Sequence, residues 1–227
     1  MLTGPFKMAR HQLALALTER PRWGGARRDA GRKRPPGIRP NVPHRPRVDL
    51  NRHSPALVTL RAGVDCLRRP AVFAALRAEL ASVASRDFNV AHFSVQSNHI
   101  HLLVEADDRK ALSRGMHLLA LRLARAVNRS LCRRGRVFTD RDHSRALRTP
   151  REARVALVYV LRNASKHVPG FRDLDPCSSA PSFDGWSWTG RLEGEGPVAT
   201  SSARCWLLRV GWRRFGLIRP DEVPRNP

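Results

Sequence analysis

Residues 88–105, FNVAHFSVQSNHIHLLVE, decide how the chain is read. Two runs rich in Val, Ile, Leu and Phe, 88–95 and 99–105, flank Gln96-Ser97-Asn98, a short polar stretch of the kind that closes a β-hairpin. Strand periodicity sets His99, His101, Leu103 and Glu105 on one face of the second run and Ile100, Leu102 and Val104 on the other. The two imidazoles therefore point the same way. Residues two apart on a strand are roughly 6.5–7 Å apart at the backbone, so both rings can converge on one cation and leave most of its coordination sphere open.

Working outward, Leu57 to Arg61 (LVTLR) reads as a strand, and the apolar residues after Pro70 recur at helical spacing. Beyond the hairpin, a long helix is expected over 112–134, with Leu112, Met116, Leu119, Leu123, Val127 and Leu131 on a packing stripe and Arg122, Arg125, Arg129 and Arg133 on a cationic one. Residues 137–147 look extended. Thr149-Pro150-Arg151-Glu152 then combines a capping box with proline at the first helical position, and that helix should run to about His167. The order strand, helix, strand, strand, helix, strand, helix places a hairpin between two crossovers. It predicts an α+β, ferredoxin-like (split β-α-β) antiparallel sheet with helices on one face.

The domain organisation follows from composition. Residues 1–53 hold 13 Lys/Arg and three acidic residues and are dense in Pro and Gly, which predicts an extended basic arm. A catalytic-type domain is expected over 54–170, a Ser/Gly/Pro-rich linker over 171–200, and a short C-terminal extension over 201–227 that carries Trp206 and Trp212. With 42 Lys+Arg against 19 Asp+Glu, the formal charge is +23, which points to a phosphate-rich polymer as partner. No apolar run is long enough to span a membrane, so a cytoplasmic protein, associated with the nucleoid when bound to DNA, is expected. Cys66, Cys132, Cys177 and Cys205 are widely spaced without a C-x-x-C pair, which speaks against a zinc ribbon and predicts reduced thiols.

A second constellation sits on the last helix. Tyr159, the single tyrosine of the chain, and Asn163 are four residues apart and so share one helical face. A phenol of pKa about 10 is a poor nucleophile at neutral pH and needs a metal to polarise the phosphate it attacks; an amide oxygen can serve as a neutral ligand.

The segment HFSVQSNHIHLLVEADD resembles the strand pair of the HUH single-stranded-DNA endonucleases, and TPREARVALVYVLRNASKH resembles the helix of single-tyrosine transposases. Together they are similar to insertion-sequence-200-like enzymes, above all to bacterial REP-associated tyrosine transposases, over residues 54–168. The resemblance implies that His99, His101 and Asn163 bind Mg²⁺ or Mn²⁺. It also implies that Tyr159 attacks the scissile phosphate of single-stranded or hairpin DNA, leaving a 5′-phosphotyrosine and a free 3′-OH, and that the protein is a homodimer. Asp142-His143 stands where relatives often carry an aromatic-His pair, and Ala164-Ser165 follow Asn163 where relatives tend to have Pro.

Arg122, Arg125, Arg129, Arg133, Arg141, Arg145 and Arg148 form the expected track for the DNA backbone. Asn98 either orients His99 or favours the turn, and Glu105 is an outer partner of the histidines, a metal ligand in a variant site, or a solvated strand end. His92, His117 and His143 receive no role. Two other readings stay open: a non-catalytic nucleic-acid-binding protein that stacks bases on Phe88 and Phe93, and a metal-dependent nuclease that uses activated water.

Overall fold

The computed structural model describes residues 49–166, 173–187 and 200–225. All of these lie in one compact unit, Pro40–Pro227. The basic arm expected over 1–53 falls almost wholly outside the described residues.

Strands β1 (Ala56–Arg61), β2 (Phe88–Val95), β3 (His99–Ala106) and β4 (His143–Ala146) form one antiparallel sheet in the order β2-β3-β1-β4. Helix α1 (Pro70–Ala81) connects β1 to β2, and α2 (Arg109–Ser130) connects β3 to β4. This is the split β-α-β topology expected from the order of hydrophobic patterns. The hairpin closes through the Gln96 amide donating to the His99 carbonyl at 2.8 Å.

The two crossover helices share one face. Val58, Leu60, Ile100, Leu102 and Val104 meet Val72, Leu76 and Leu80 of α1 and Leu112, Met116, Leu119, Leu123 and Val127 of α2, all buried. Each such side chain removed from water contributes about 1.5–3 kcal/mol. The Asp108 side chain accepts from the Ala111 amide and starts α2 three residues before the apolar stripe. The helix stops at Ser130 rather than near Arg134, and Cys132 takes a left-handed φ of 47°.

The opposite face is covered too, which departs from the expectation of helices on one side. Helix α3 (Pro150–Leu161) lies there, with Leu157 and Leu161 in one cluster with Leu57 and Leu103. Its capping box forms as predicted: the Thr149 hydroxyl accepts from the Glu152 amide, and the Glu152 carboxylate accepts from the Thr149 amide. The helix ends at Leu161, and Asn163–Lys166 continue as a 3₁₀ turn instead of reaching His167.

The linker expected over 171–200 needs correction where the structure describes it. Within 173–187, Ala180, Phe183 and Trp186 are buried in the α3-side cluster. Asp175, 1% exposed, takes a two-pronged ion pair from Arg68 at 2.7 and 2.8 Å. The serines that gave this stretch its loop-like composition are hydrogen-bonded: the Phe93 amide donates to the Ser179 hydroxyl, and the Ser178 hydroxyl donates to the Asp175 carbonyl. Trp212 of the C-terminal segment also joins this layer, whereas Trp206 stays 47% exposed.

A β-bulge lets β2 serve both layers. Its register shifts between Val90 and His92, so Phe88 and Val90 face one layer before the shift and Phe93 and Val95 face the same layer after it. His92 then meets the second layer, with Phe183 edge-on at 5.4 Å and Ser179 at 3.3 Å. Burial pushes its pKa down to about 4, against a small upward pull from Asp184. A histidine depressed when folded disfavours the proton that the unfolded chain accepts at about pH 6.5. Its stability contribution is therefore complete above pH 6.5 and is lost as pH falls towards 4. The expected outcome is a thermal midpoint that drops over pH 6.5–4.5 in wild type and drops measurably less in His92→Gln, compared by denaturation scans at matched salt.

Candidate active site

The register of β1 against β3 fixes the centre of the site. Thr59 lies opposite His101, and Arg61 lies opposite His99; cross-strand partners project from the same face. The Thr59 Oγ1 is 3.0 Å from His101 Nδ1, and the Asn98 Oδ1 is 2.9 Å from His99 Nδ1. An amide oxygen only accepts, so His99 carries its proton on Nδ1. Thr59 Oγ1, which can donate or accept, fixes the orientation of the His101 ring through Nδ1. The rings stand 4.7 Å apart at 74°. His101 is 4% exposed, while His99 keeps partial exposure at the strand end.

Helix α3 brings Tyr159 to this pair. Its ring lies edge to face with His101 at 4.9 Å, and its hydroxyl is 3.5 Å from His101 Nε2, a long contact. Both groups belong to the same chain. Burial raises the pKa of the phenol, and a hydrogen bond from the Asn163 side chain acts in the opposite direction. Asn163 is 1% exposed, and its Oδ1 has no hydrogen-bond partner. An orphaned buried carbonyl oxygen costs about 1–3 kcal/mol, and a cation would satisfy it. Two imidazoles and this amide oxygen are donor types that suit a divalent metal with open positions. No group of three or more His, Cys, Asp or Glu suited to a metal occurs among the described residues, so the amide would have to complete the set.

Three neighbours were not visible from sequence. Thr59 carries no local signal, because only the strand register brings it to His101. Arg61 is exposed on the same face beside His99. Lys166, in the 3₁₀ turn, sets its Nζ 4.3 Å above the Tyr159 ring, where burial lowers its pKa.

The arginines singled out in the sequence divide between the two faces. Arg145 of β4 lies opposite Leu57, on the site face, and pairs with Glu152 at 3.2 Å. Arg148 is close by in sequence and exposed, and Arg141 precedes β4. Arg122, Arg125, Arg129 and Arg133 belong to the α2 region, across the sheet from the histidines. Arg122 and Arg129 both pair with Glu79 of α1, at 2.7 and 3.3 Å, and Arg133 donates to the Arg136 carbonyl.

Glu105, on the histidine face but four residues further along, is 5% exposed and fully engaged. It accepts from the Asn89 side chain at 2.8 Å, from the Arg204 amide at 2.9 Å and from the Cys205 amide at 2.8 Å. It anchors the C-terminal segment and is held away from the histidine pair.

A comparison with known protein families agrees with this picture over part of the chain. A family model described as "Transposase IS200 like" matches residues 72–143, about a third of the chain. The match includes the histidine strand and ends before Tyr159. The resemblance read from the motifs is therefore found independently over that segment. A solved structure, "Structure of the REP associates tyrosine transposase bound to a REP hairpin", aligns with a TM-score of 0.46 at 17% identity, covering 56% of this chain and 74% of that one. No curated protein matches the sequence.

Removing the Glu105 carboxylate strands two backbone amides and takes away one of the two acceptors of the Asn89 side-chain amide. Glu105→Ala is expected to destabilise the fold by about 3–5 kcal/mol in urea titrations and to speed hydrogen exchange at Arg204 and Cys205. Slow exchange retained at both amides would show that Glu105 does not anchor the segment.

Proposed function

We propose that this chain, whose residues 72–143 match IS200-like transposases, cuts and rejoins single-stranded DNA with Tyr159 as nucleophile and a divalent metal on His99, His101 and Asn163. The observation that carries the reading is the convergence of Tyr159 on His101 beside the unsatisfied Asn163 oxygen. Two motifs 58 residues apart in sequence meet at one point.

Bound Mg²⁺ or Mn²⁺ would supply charge neutralisation at the scissile phosphate. The residues do the rest. Thr59 and Asn98 orient the imidazoles. Packing of α3 presents the phenol oxygen to the phosphorus. In the step itself, a bond forms between Tyr159 Oη and phosphorus, the P–O3′ bond breaks, the phenol proton passes to solvent and the departing oxygen takes a proton from solvent to leave as a 3′-OH. The resulting 5′-phosphotyrosine retains the energy of the cleaved ester, so a second 3′-OH can attack it and restore Tyr159 without ATP. Arg61 and Arg145 stand on the site face, where they suit phosphate contacts on either side of the cut.

The reading by base stacking on the sheet loses its support, because Phe88 and Phe93 are 2% and 1% exposed in the core. The activated-water reading differs from the proposal at one atom and is separated by the same assay. A homodimer, expected from the resemblance, is not needed to bring Tyr159 to His101.

Wild-type protein with Mn²⁺ and a labelled single-stranded hairpin oligonucleotide is expected to give a covalent adduct that survives denaturing electrophoresis. Tyr159→Phe should give none. His101→Ala should lower the rate about 100-fold or more, as loss of several kcal/mol of metal stabilisation implies. Thr59→Val should weaken Mn²⁺ binding about 10–100-fold, measured by calorimetry. An adduct with Tyr159→Phe, or cleavage by wild type without one, would rule out the tyrosine mechanism.

A further inference from the structure

The anchored C-terminal segment builds a second site at the far end of β3. Three hydrogen bonds to Glu105 fix the backbone at Arg204 and Cys205. Cys205 is buried beneath, its thiol pushed up to about 12 chiefly by burial. The next residue, Trp206, is thrown outward and stays 47% exposed, although the second layer has room for Phe183, Trp186 and Trp212. Its indole lies on Gly211, where an added Cβ would come within 2.6 Å of the ring. The Arg214 guanidinium sits 4.9 Å from the ring centroid.

Beside this ring is a cavity of about 270 Å³ lined by Arg52, His53, Arg86, Arg204 and Trp206, together with Asp87, Asp107 and the covered Glu105. Its volume falls just under the ~300–1,000 Å³ of small-molecule pockets, so it suits part of a nucleotide better than a large metabolite. The acids do not cancel its charge. Asp87 is paired with Arg114 and Ser85, so the buried Glu105 and the exposed Asp107 leave two negative charges against Arg52, Arg86 and Arg204. Arg52, Arg86 and Arg204 are all exposed. Arg204 donates to the Arg86 carbonyl, which tethers its guanidinium at the rim.

An exposed indole with a guanidinium over it, next to three arginines in a shallow cavity, matches what a single nucleotide needs: a planar stacking surface and cations for one phosphate. We propose that this pocket is a second DNA contact, taking one nucleotide from the single-stranded flank of the substrate. Its base stacks on the exposed Arg214 guanidinium that covers the Trp206 ring, and its phosphate meets Arg52, Arg86 and Arg204. The inference rests on the reading of the chain as a single-stranded-DNA enzyme and adds where the flank is held. At about 3.3 Å per residue, the pocket floor at Glu105 and Ala106 lies roughly 15 Å along β3 from His101. A strand reaching both would be fixed at two points, with its direction across the protein set.

The test compares two fluorescein-labelled hairpin oligonucleotides, one with an eight-nucleotide single-stranded flank and one without, by anisotropy with full-length protein. Wild type is expected to bind the flanked oligonucleotide more tightly. Trp206→Ala should weaken that binding about 5- to 100-fold, the range for loss of one stacked base, and leave the unflanked hairpin unaffected. Trp206→Phe should retain most of the preference. A double variant, Arg52→Ala with Arg86→Ala, leaves the Trp206 packing untouched and should lower the log–log salt slope for the flanked oligonucleotide by about 0.7 for each phosphate no longer neutralised. Wild-type affinity for the flanked oligonucleotide in both Trp206→Ala and the double variant overturns the proposal. Equal loss for flanked and unflanked hairpins in Trp206→Ala overturns it as well. Failure of the tyrosine mechanism reads out separately, as absence of a covalent adduct in wild type; a Trp206-dependent flank preference would still uphold this pocket.

Discussion

The packing of α3 on the histidine face of the sheet is the constraint on which the rest depends. Leu157 and Leu161 share a cluster with Leu57 and Leu103, and that burial sets where the next helical positions fall. Tyr159 lies between those two leucines in sequence, rotated towards the rim, so its ring reaches His101 while its neighbours hold the helix down. Without that apolar packing the phenol would not be held in place, and a misplacement of about 1 Å can cost about 100-fold in rate. The chemistry proposed for this chain is thus a by-product of a hydrophobic layer.

That layer is larger than the α3 helix. Residues 173–187 and the segment from Cys205 to Ile218 extend it, each tied by a charged group buried in the fold: Asp175 to Arg68 for the first, Glu105 to two backbone amides for the second. A carboxylate that is 1% or 5% exposed would be costly without partners. Both have two or more, and each holds a polar segment against an apolar surface. The sheet is buried on both faces as a result, whereas antiparallel sheets commonly leave one face solvated, and His99 keeps partial exposure at the end of β3.

Electrostatics divide along the same lines. The α2 arginines, which look like a DNA track in sequence, lie across the sheet from the histidines, and two of them neutralise Glu79. Among the described residues, Arg61 and Arg145 stand on the histidine face and Lys166 lies over the Tyr159 ring, on three different elements. A stripe on one helix is easy to see in a sequence. A ring of cations assembled from β1, β4 and a 3₁₀ turn is not, because no single periodicity contains it.

The amino-acid sequence by itself determined the hairpin, the order of strands and helices, the capping box at Thr149 and the two motifs of the candidate site, since each rests on interactions within a few residues. Even the bulge in β2 is legible afterwards, in the change of parity between Phe88, Val90 and Phe93, Val95. Tertiary structure alone decided that α3 covers the face opposite α1 and α2, that Thr59 orients His101, and that Glu105 serves the C-terminal segment. It also decided that Trp212 is buried while Trp206 is not. These are pairings between residues tens to a hundred positions apart. Their partners are chosen by register and by which apolar surfaces remain uncovered after the first layer has formed, and local patterning carries no record of that choice.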